Sequence, residues 1–257
     1  MDLSTIGMLA FGVALVLALF GLTHLGTAVG NRRLAVDPVC FRKTAATDGV
    51  VYALLGLLMA FSFSDATSRF ERRRNLIVDE ANALSTAASR FDLIAEPRRG
   101  ELRSLLGRYI EARLALTDPA PTLEEVGQRQ PLVVERQAAV WAVAIAACRE
   151  TAPTTALTLL PPLNEAFDLG EVRRNVLYHD PPLIILVMLL ALALAAAFIA
   201  GQSMAGSASP LLFHRIAFAA VITLTAATTI DLELARRGLI RISDSDRLLI
   251  DLVAALR

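Results

Sequence analysis

Four stretches of this 257-residue chain contain no Asp, Glu, Lys or Arg: Leu3 to Asn31, Gly49 to Ser64, Pro181 to His214 and Ile216 to Ile230. A helix needs about 20 mostly apolar residues to cross the hydrocarbon core of a bilayer, because each residue advances it by only about 1.5 Å. The first and third stretches meet that length outright. The second and fourth meet it if their helices continue past the charged flanks. Hydrophobic residues make up 55% of the chain and charged residues 19%, whereas ordinary soluble domains hold roughly 45–50% and 25%. The pattern excludes a soluble globular enzyme, and it excludes a disordered chain, which requires low hydrophobicity. The N-terminus has no basic segment before its apolar stretch, and Ala28-Val29-Gly30 is its only weak cleavage-like site. A retained first span is therefore expected rather than a signal peptide.

The spans are placed at Ile6–Val29, Gly49–Ser64 (running on), Leu183–Ala200 and Leu211–Ile230, and they form two hairpins. The expected fold is an all-α integral membrane bundle. Residues 1–64 form the first transmembrane hairpin, 65–182 a helical domain continuous with the second span, 183–231 the second hairpin, and 232–257 a C-terminal tail. Four spans put both termini and the central segment on one side. Near the span ends that side carries Arg69, Arg72, Arg73, Arg74, Arg173, Arg174, Arg236, Arg237, Arg241 and Arg247, against Arg32, Arg33, Arg42, Lys43 and Arg215 on the other. The positive-inside rule then makes the central domain, termini and tail cytoplasmic, in an inner-membrane protein. Cys40 and Cys148 fall on opposite sides, so no disulfide between them is expected.

Within the central segment Glu96-Pro97 and Asp118-Pro119-Ala120-Pro121 read as breaks, and Thr122-Leu123-Glu124-Glu125 as a capping box. Pro131 is placed at the opening of a helix through Trp141 to Cys148, and Pro161-Pro162 ahead of another, Leu163 to Tyr178.

The second helix is the most informative element. No Gly or Pro interrupts it between Gly56 and Pro97, so a rod of about 40 residues, about 60 Å, is expected. Phe63, Phe70, Ile77, Leu84 and Phe91 recur at seven-residue spacing, with Ala81, Ala88 and Ala95 four residues after the last three. This is the pattern of a close-packed helix–helix seam. The opposite face starts at Phe61 and continues through Asp65, Ser68, Arg72, Asn75, Asp79, Asn82 and Thr86, while toward the membrane it passes Leu57 and Ala53. One reading of this stripe is a solvated amphipathic face. The other is that several copies surround an axis, so that Ala53, Leu57 and Phe61 constrict a path and Asp65, Ser68, Arg72, Asn75 and Asp79 line its wet vestibule.

Three runs on this chain carry a resemblance. They are Gly56-Leu57-Leu58-Met59-Ala60-Phe61-Ser62-Phe63-Ser64, Ser68-Arg69-Phe70-Glu71-Arg72-Arg73 and Val78-Asp79-Glu80-Ala81-Asn82-Ala83. With Leu159 to Leu169, Asp231-Leu232-Glu233 and Arg236 to Arg241, they resemble the bacterial bestrophin-like domain family of unknown function. More distantly the chain resembles the bestrophins, pentameric ion channels whose aromatic neck residue stands eight positions before an Arg-aromatic pair, as Phe61 stands before Arg69-Phe70. Further neck residues four and eight positions earlier correspond to Leu57 and Ala53. The resemblance implies an oligomeric channel, a pentamer on that ground alone, passing inorganic ions and small anions in particular. Calcium-gated bestrophins carry a dense acidic run after the last span. Here only Asp231, Glu233, Asp244 and Asp246 stand there, interrupted by Arg236, Arg237 and Arg241. That is sparse for an ion that takes about six to eight oxygen ligands, and it speaks against calcium gating.

Other chemistry is thinly represented. Asp231 and Glu233 are placed either as a cation site or as ion-pair partners of Arg236 and Arg237, with pairing the default. Glu80, Asn164 and Asp168 form a possible polar cluster between helices, by default a structural hydrogen-bond network. Arg69, Arg72, Arg73 and Arg74 suit a topology anchor against anionic lipid, or a source of positive potential at a pore mouth. His24, His179 and His214 are scattered, and neither metal-ligand spacings nor nucleotide-binding or nucleophile motifs occur, so no enzyme, metal or cofactor is expected. No segment is basic enough for nucleic acid. The expected partners are the lipid bilayer, further copies of the chain and inorganic ions. The competing functional class is a membrane-anchored interaction or regulatory protein whose cytoplasmic helices recruit a partner without conduction.

Overall fold

Long runs without Gly or Pro, rich in Ala and Leu, favour helix, and the computed structural model, which describes residues 3–36, 45–116, 123–177, 183–206, 212–234, 240 and 242–257, is predominantly helical. In chain order the helices are α1 (Leu3–Val36), α2 (Ala45–Arg90), α3 (Arg98–Ala115), α4 (Leu123–Arg149), α5 (Pro153–Leu177), α6 (Leu183–Ser203), α7 (Leu212–Glu233) and α8 (Arg247–Leu256). Single 3-10 turns at Phe91–Leu93 and Ser243–Asp246 precede α3 and α8. No strand occurs among the described residues. Five of the helices are long and apolar enough to cross a membrane. Four contain the charge-free stretches, and the fifth, Glu124–Arg149, belongs to α4.

The chain divides into two compact units, residues 1–69 with 180–240 and residues 70–179 with 241–257. In the first unit α1 packs on α6 and α7. Leu15, Leu19, Leu55, Ala193, Ala196, Ala197 and Ala219 form its buried core. Small residues bring α1 and α6 together. A Cβ on Gly26 would strike the carbonyl oxygen of Phe198, and one on Gly201 would strike that of Thr23. Gly30, four residues after Gly26, faces Gln202 and Ala205, so α1 uses the GxxxG device by which membrane helices approach closely. Where α6 ends, Gly206 takes a positive φ of 75°, and its N–H donates to Asn31 Oδ1 at 2.8 Å.

In the second unit the lower half of α2 contributes Ile77 and Leu84, and the 3-10 turn after it Phe91, all fully buried, to a core with Leu102, Leu106, Ile110, Leu159 and Leu163. Phe167 stacks edge-on against Tyr109 at 5.2 Å and Trp141 at 6.2 Å. The break expected at Glu96-Pro97 lies between α2 and α3, and Glu96 satisfies the start of α3, accepting from the Gly100 N–H at 3.1 Å.

The prolines require a correction. Pro131 lies inside α4, and Pro161 and Pro162 lie inside α5, so none of them opens a helix. The openings are Leu123, with Glu124 and Glu125 in the first turn, and Pro153, a residue pre-set for a first helical position. Packing of Leu159, Leu163, Ala166 and Phe167 carries α5 through the imino pair, as tertiary context overrides local propensity. Cys148 is a free thiol. Cys40 and the Asp118–Pro121 break lie outside the described residues.

Candidate functional site

Helix α2 is a single 46-residue helix, about 69 Å at 1.5 Å per residue. Its two faces differ as their side chains dictate. On the seam face burial deepens along the helix. Phe63 is exposed and Phe70 half-buried, whereas Ile77, Leu84 and Phe91 are sealed, with Ala81 and Ala88 beside them. Ala95 is exposed and lies beyond the end of α2. The opposite stripe is open throughout. Ala53, Leu57, Phe61, Asp65, Ser68, Arg72, Asn75 and Asp79 are all exposed, with Leu57 at 52% and Phe61 at 62%. Of the arginine cluster, Arg72 and Arg74 are exposed, Arg69 is partly covered, and Arg73 is buried.

A cleft of about 710 Å³ opens in the first unit between α2, α6 and α7. Leu58, Phe61, Ile185 and Leu189 line its apolar part, and Asp65, Arg69 and Glu233 its polar part. There Arg69 Nε and Nη2 both donate to Glu233 Oε1, at 2.8 and 2.5 Å. Arg69 Nη1 donates to Asp65 Oδ2 at 2.6 Å. Asp231 Oδ2 accepts the Ile240 N–H at 2.9 Å. Glu233 pairs with Arg69 of α2, 164 residues away, while Arg236 and Arg237, the partners expected for Asp231 and Glu233, lie outside the described residues. Among the described residues no group of acidic, His or Cys side chains is arranged to hold a metal ion.

The polar cluster expected at Glu80, Asn164 and Asp168 does not assemble as one. Asn164 Nδ2 donates to Asp168 Oδ2 at 2.8 Å on an exposed face of α5. Glu80 is fully buried and both its oxygens are engaged elsewhere, Oε1 by Arg113 Nε at 2.9 Å and Oε2 by Arg173 Nη1 at 2.6 Å. Arg173 also donates to Asp246 Oδ1 at 3.1 Å, and Arg113 to the Gly170 carbonyl at 2.9 Å. A buried carboxylate is held ionised only by such charge-assisted bonds. Here they join α2, α3, α5 and the turn before α8. Sequence reasoning missed Arg113 and Asp246. The only signal for them was that a charge on the covered side of α2 must find opposite charge somewhere.

The sequence matches the bestrophin-like domain family over residues 12–246. The chain belongs to the bestrophin-like family. The fold agrees. A bacterial bestrophin homologue from Klebsiella pneumoniae, solved as single-substitution variants, superposes with TM-scores of 0.68 and 0.67 at 15% and 13% identity. The matches cover 93% and 94% of this chain and 98% of those chains. A crystal structure described as a membrane protein matches with a TM-score of 0.66 at 13% identity, covering 93% of this chain and 98% of that one. No curated protein matches the sequence. This bestrophin-like chain is thus an all-helical membrane protein of bestrophin fold.

Proposed function

We propose that the protein is the subunit of an oligomeric ion channel that passes small anions through a path lined by α2. The observation that carries this reading is the uncovered stripe of α2. One continuous helix leaves Ala53, Leu57 and Phe61 exposed in its apolar part and Asp65, Ser68, Arg72, Asn75 and Asp79 exposed below them. Large exposed apolar side chains call for lipid or a second protein surface, whereas charged ones call for water. A ring of copies with this stripe on its axis meets both demands: the apolar residues constrict the path and the polar residues hydrate it. Membership of the bestrophin-like family supports a ring, of five subunits if it follows the bestrophins. The seam residues Phe63 and Phe70, incompletely covered in one protomer, then pack between copies, while Ile77, Leu84 and Phe91 serve the core of each. Arg72 and Arg74, both exposed, supply positive potential at the mouth.

In this reading α1, α2, α6 and α7 span the inner membrane as two hairpins, with termini and central domain cytoplasmic. Helix α4 stays in the central domain because Val126, Val133, Val140, Ala144 and Ala147 are buried within its own unit. Reconstitution into planar bilayers tests the reading: chloride-carrying current that changes with Phe61→Ala supports it, and its absence removes it.

A further inference from the structure

We propose that the space behind α2 in the first unit is a lipid site, in which one acyl chain of a bilayer phospholipid lies between α2 and the helices α1, α6 and α7. The inference rests on a bilayer surrounding these four helices and not on conduction.

The backbones decide where space is left. Helix α1 runs closely along α6 and packs on α7, whereas among the described residues α2 keeps no such close approach to any of the three. A row of cavities occupies the gap. The upper one, about 310 Å³, lies between Tyr52, Met59, Ala200 and Ile222. The middle one, about 250 Å³, is lined by all four helices, and the lower one is the cleft that ends at Asp65 and Arg69. Met59 and Ile222 line both of the first two, and Ser62 and Thr229 both of the last two. From Tyr52 to Arg69 the row follows α2 for about 25 Å at 1.5 Å per residue, most of the roughly 30 Å of a hydrocarbon core.

Water, a second copy of the chain and lipid are the available occupants, and the middle cavity discriminates among them. Water needs about two to four polar partners. This lining offers two hydroxyls, of which Thr229 already donates to the Thr225 carbonyl at 2.8 Å. A helix of a second copy, about 10 Å across with a pitch of about 5.4 Å, needs about 400 Å³ for each turn, more than this cavity holds. A hydrocarbon chain needs neither hydrogen bonds nor that width. Leu15 and Ala193 are buried in the lining, while Phe11, Val187 and Leu190 are exposed, so the cavity communicates with the surrounding bilayer. Left empty, its walls would forfeit their dispersion contacts, and acyl chains are the solvent at its opening. The polar end matches as well. The lower cleft continues from the same Ser62 and Thr229 to Ser64, Asp65 and Arg69, as a lipid changes from chain to ester and headgroup. Helix α2 then rests on a molecule outside the chain, and that molecule supports the helix that carries Phe61.

The test uses the full-length protein in lipid nanodiscs containing a phosphatidylcholine with a diazirine midway along one acyl chain, irradiated and mapped by peptide mass spectrometry. Label is expected on Met59 and Leu189 of the row as well as on Val221 and Leu224, which face outward. Ala226→Phe places a ring in the middle cavity. It is expected to lower the labelling of Met59 and Leu189 by about tenfold, the change that overpacking a site brings. Val221→Phe adds a ring to the exposed face of the same helix and is expected to leave that labelling in place. Label confined to Val221 and Leu224 in the native protein overturns the proposal, whether a neighbouring copy or α2 itself then fills the space. Labelling of Met59 that survives Ala226→Phe overturns it equally. Should Ala226→Phe not fold, Ser62→Phe fills the same cavity from α2 and is read in the same way at Leu189. None of these readouts requires current, so a protein that does not conduct leaves the test decisive.

Discussion

Glu80 lies on the covered side of α2 with Arg113 and Arg173 each holding one of its oxygens. Burial by itself would raise its pKa. The two guanidinium groups outweigh that effect and hold it below the ordinary value of 4.5. Stability from this group is therefore complete above pH 4.5 or so and is lost as pH falls through the lower folded value. Glu80→Gln is expected to cost about 3–5 kcal/mol at neutral pH, because it leaves two buried guanidinium groups without their shared charge. Its melting temperature should also fall less steeply with acid than the native one. An acid profile parallel to the native one would show that Glu80 is not the group being titrated. Gly170 belongs to the same network: a Cβ there would lie 3.2 Å from Arg113 Cζ and from the Tyr109 hydroxyl. Such a contact forces Arg113 to shift, and Gly170→Ala is expected to lower the melting temperature, by the roughly 1–3 kcal/mol of an overpacked core.

At the scale of elements, the seven-residue repeat of α2 was readable as a packing seam because burial imposes that period locally. It located Ile77, Leu84 and Phe91 in the core, yet it could not say that coverage fades toward Phe63, since that depends on what lies beside the helix. Proline was the misleading signal. In isolation it stops helices, but α4 and α5 bury apolar residues on both sides of theirs. Pro131 is exposed and interrupts the backbone bonding of α4 without visible packing in return. Pro131→Ala is expected to raise the melting temperature, since an interior proline costs a helix about 3 kcal/mol relative to alanine; a decrease would mean that its ring is needed. The α1–α6 contact has no such slack. Gly201→Ala would place a methyl on the Thr23 carbonyl, and separation of the two helices should appear as a loss of folded protein in detergent.

For the whole molecule, the membrane address and helical class were legible from charge-free runs alone, because the bilayer excludes charge so strongly. The ion pairs were not. Arg69 and Glu233 are 164 residues apart, and Glu80 and Arg173 are 93 apart, and no local periodicity encodes which distant charge completes a pair. The motif that begins at Gly56 lies on α2, and the fold leaves the stripe from Ala53 to Asp79 on that helix exposed. The central claim is that this stripe surrounds an ion path. It is tested most directly by single-channel recording of the purified protein in planar bilayers, native against Phe61→Ala. The account predicts discrete currents from the native protein and a larger unit conductance when the Phe61 ring is removed from the constriction. Equal conductance in the two, or no current from either in correctly folded oligomers, would contradict it.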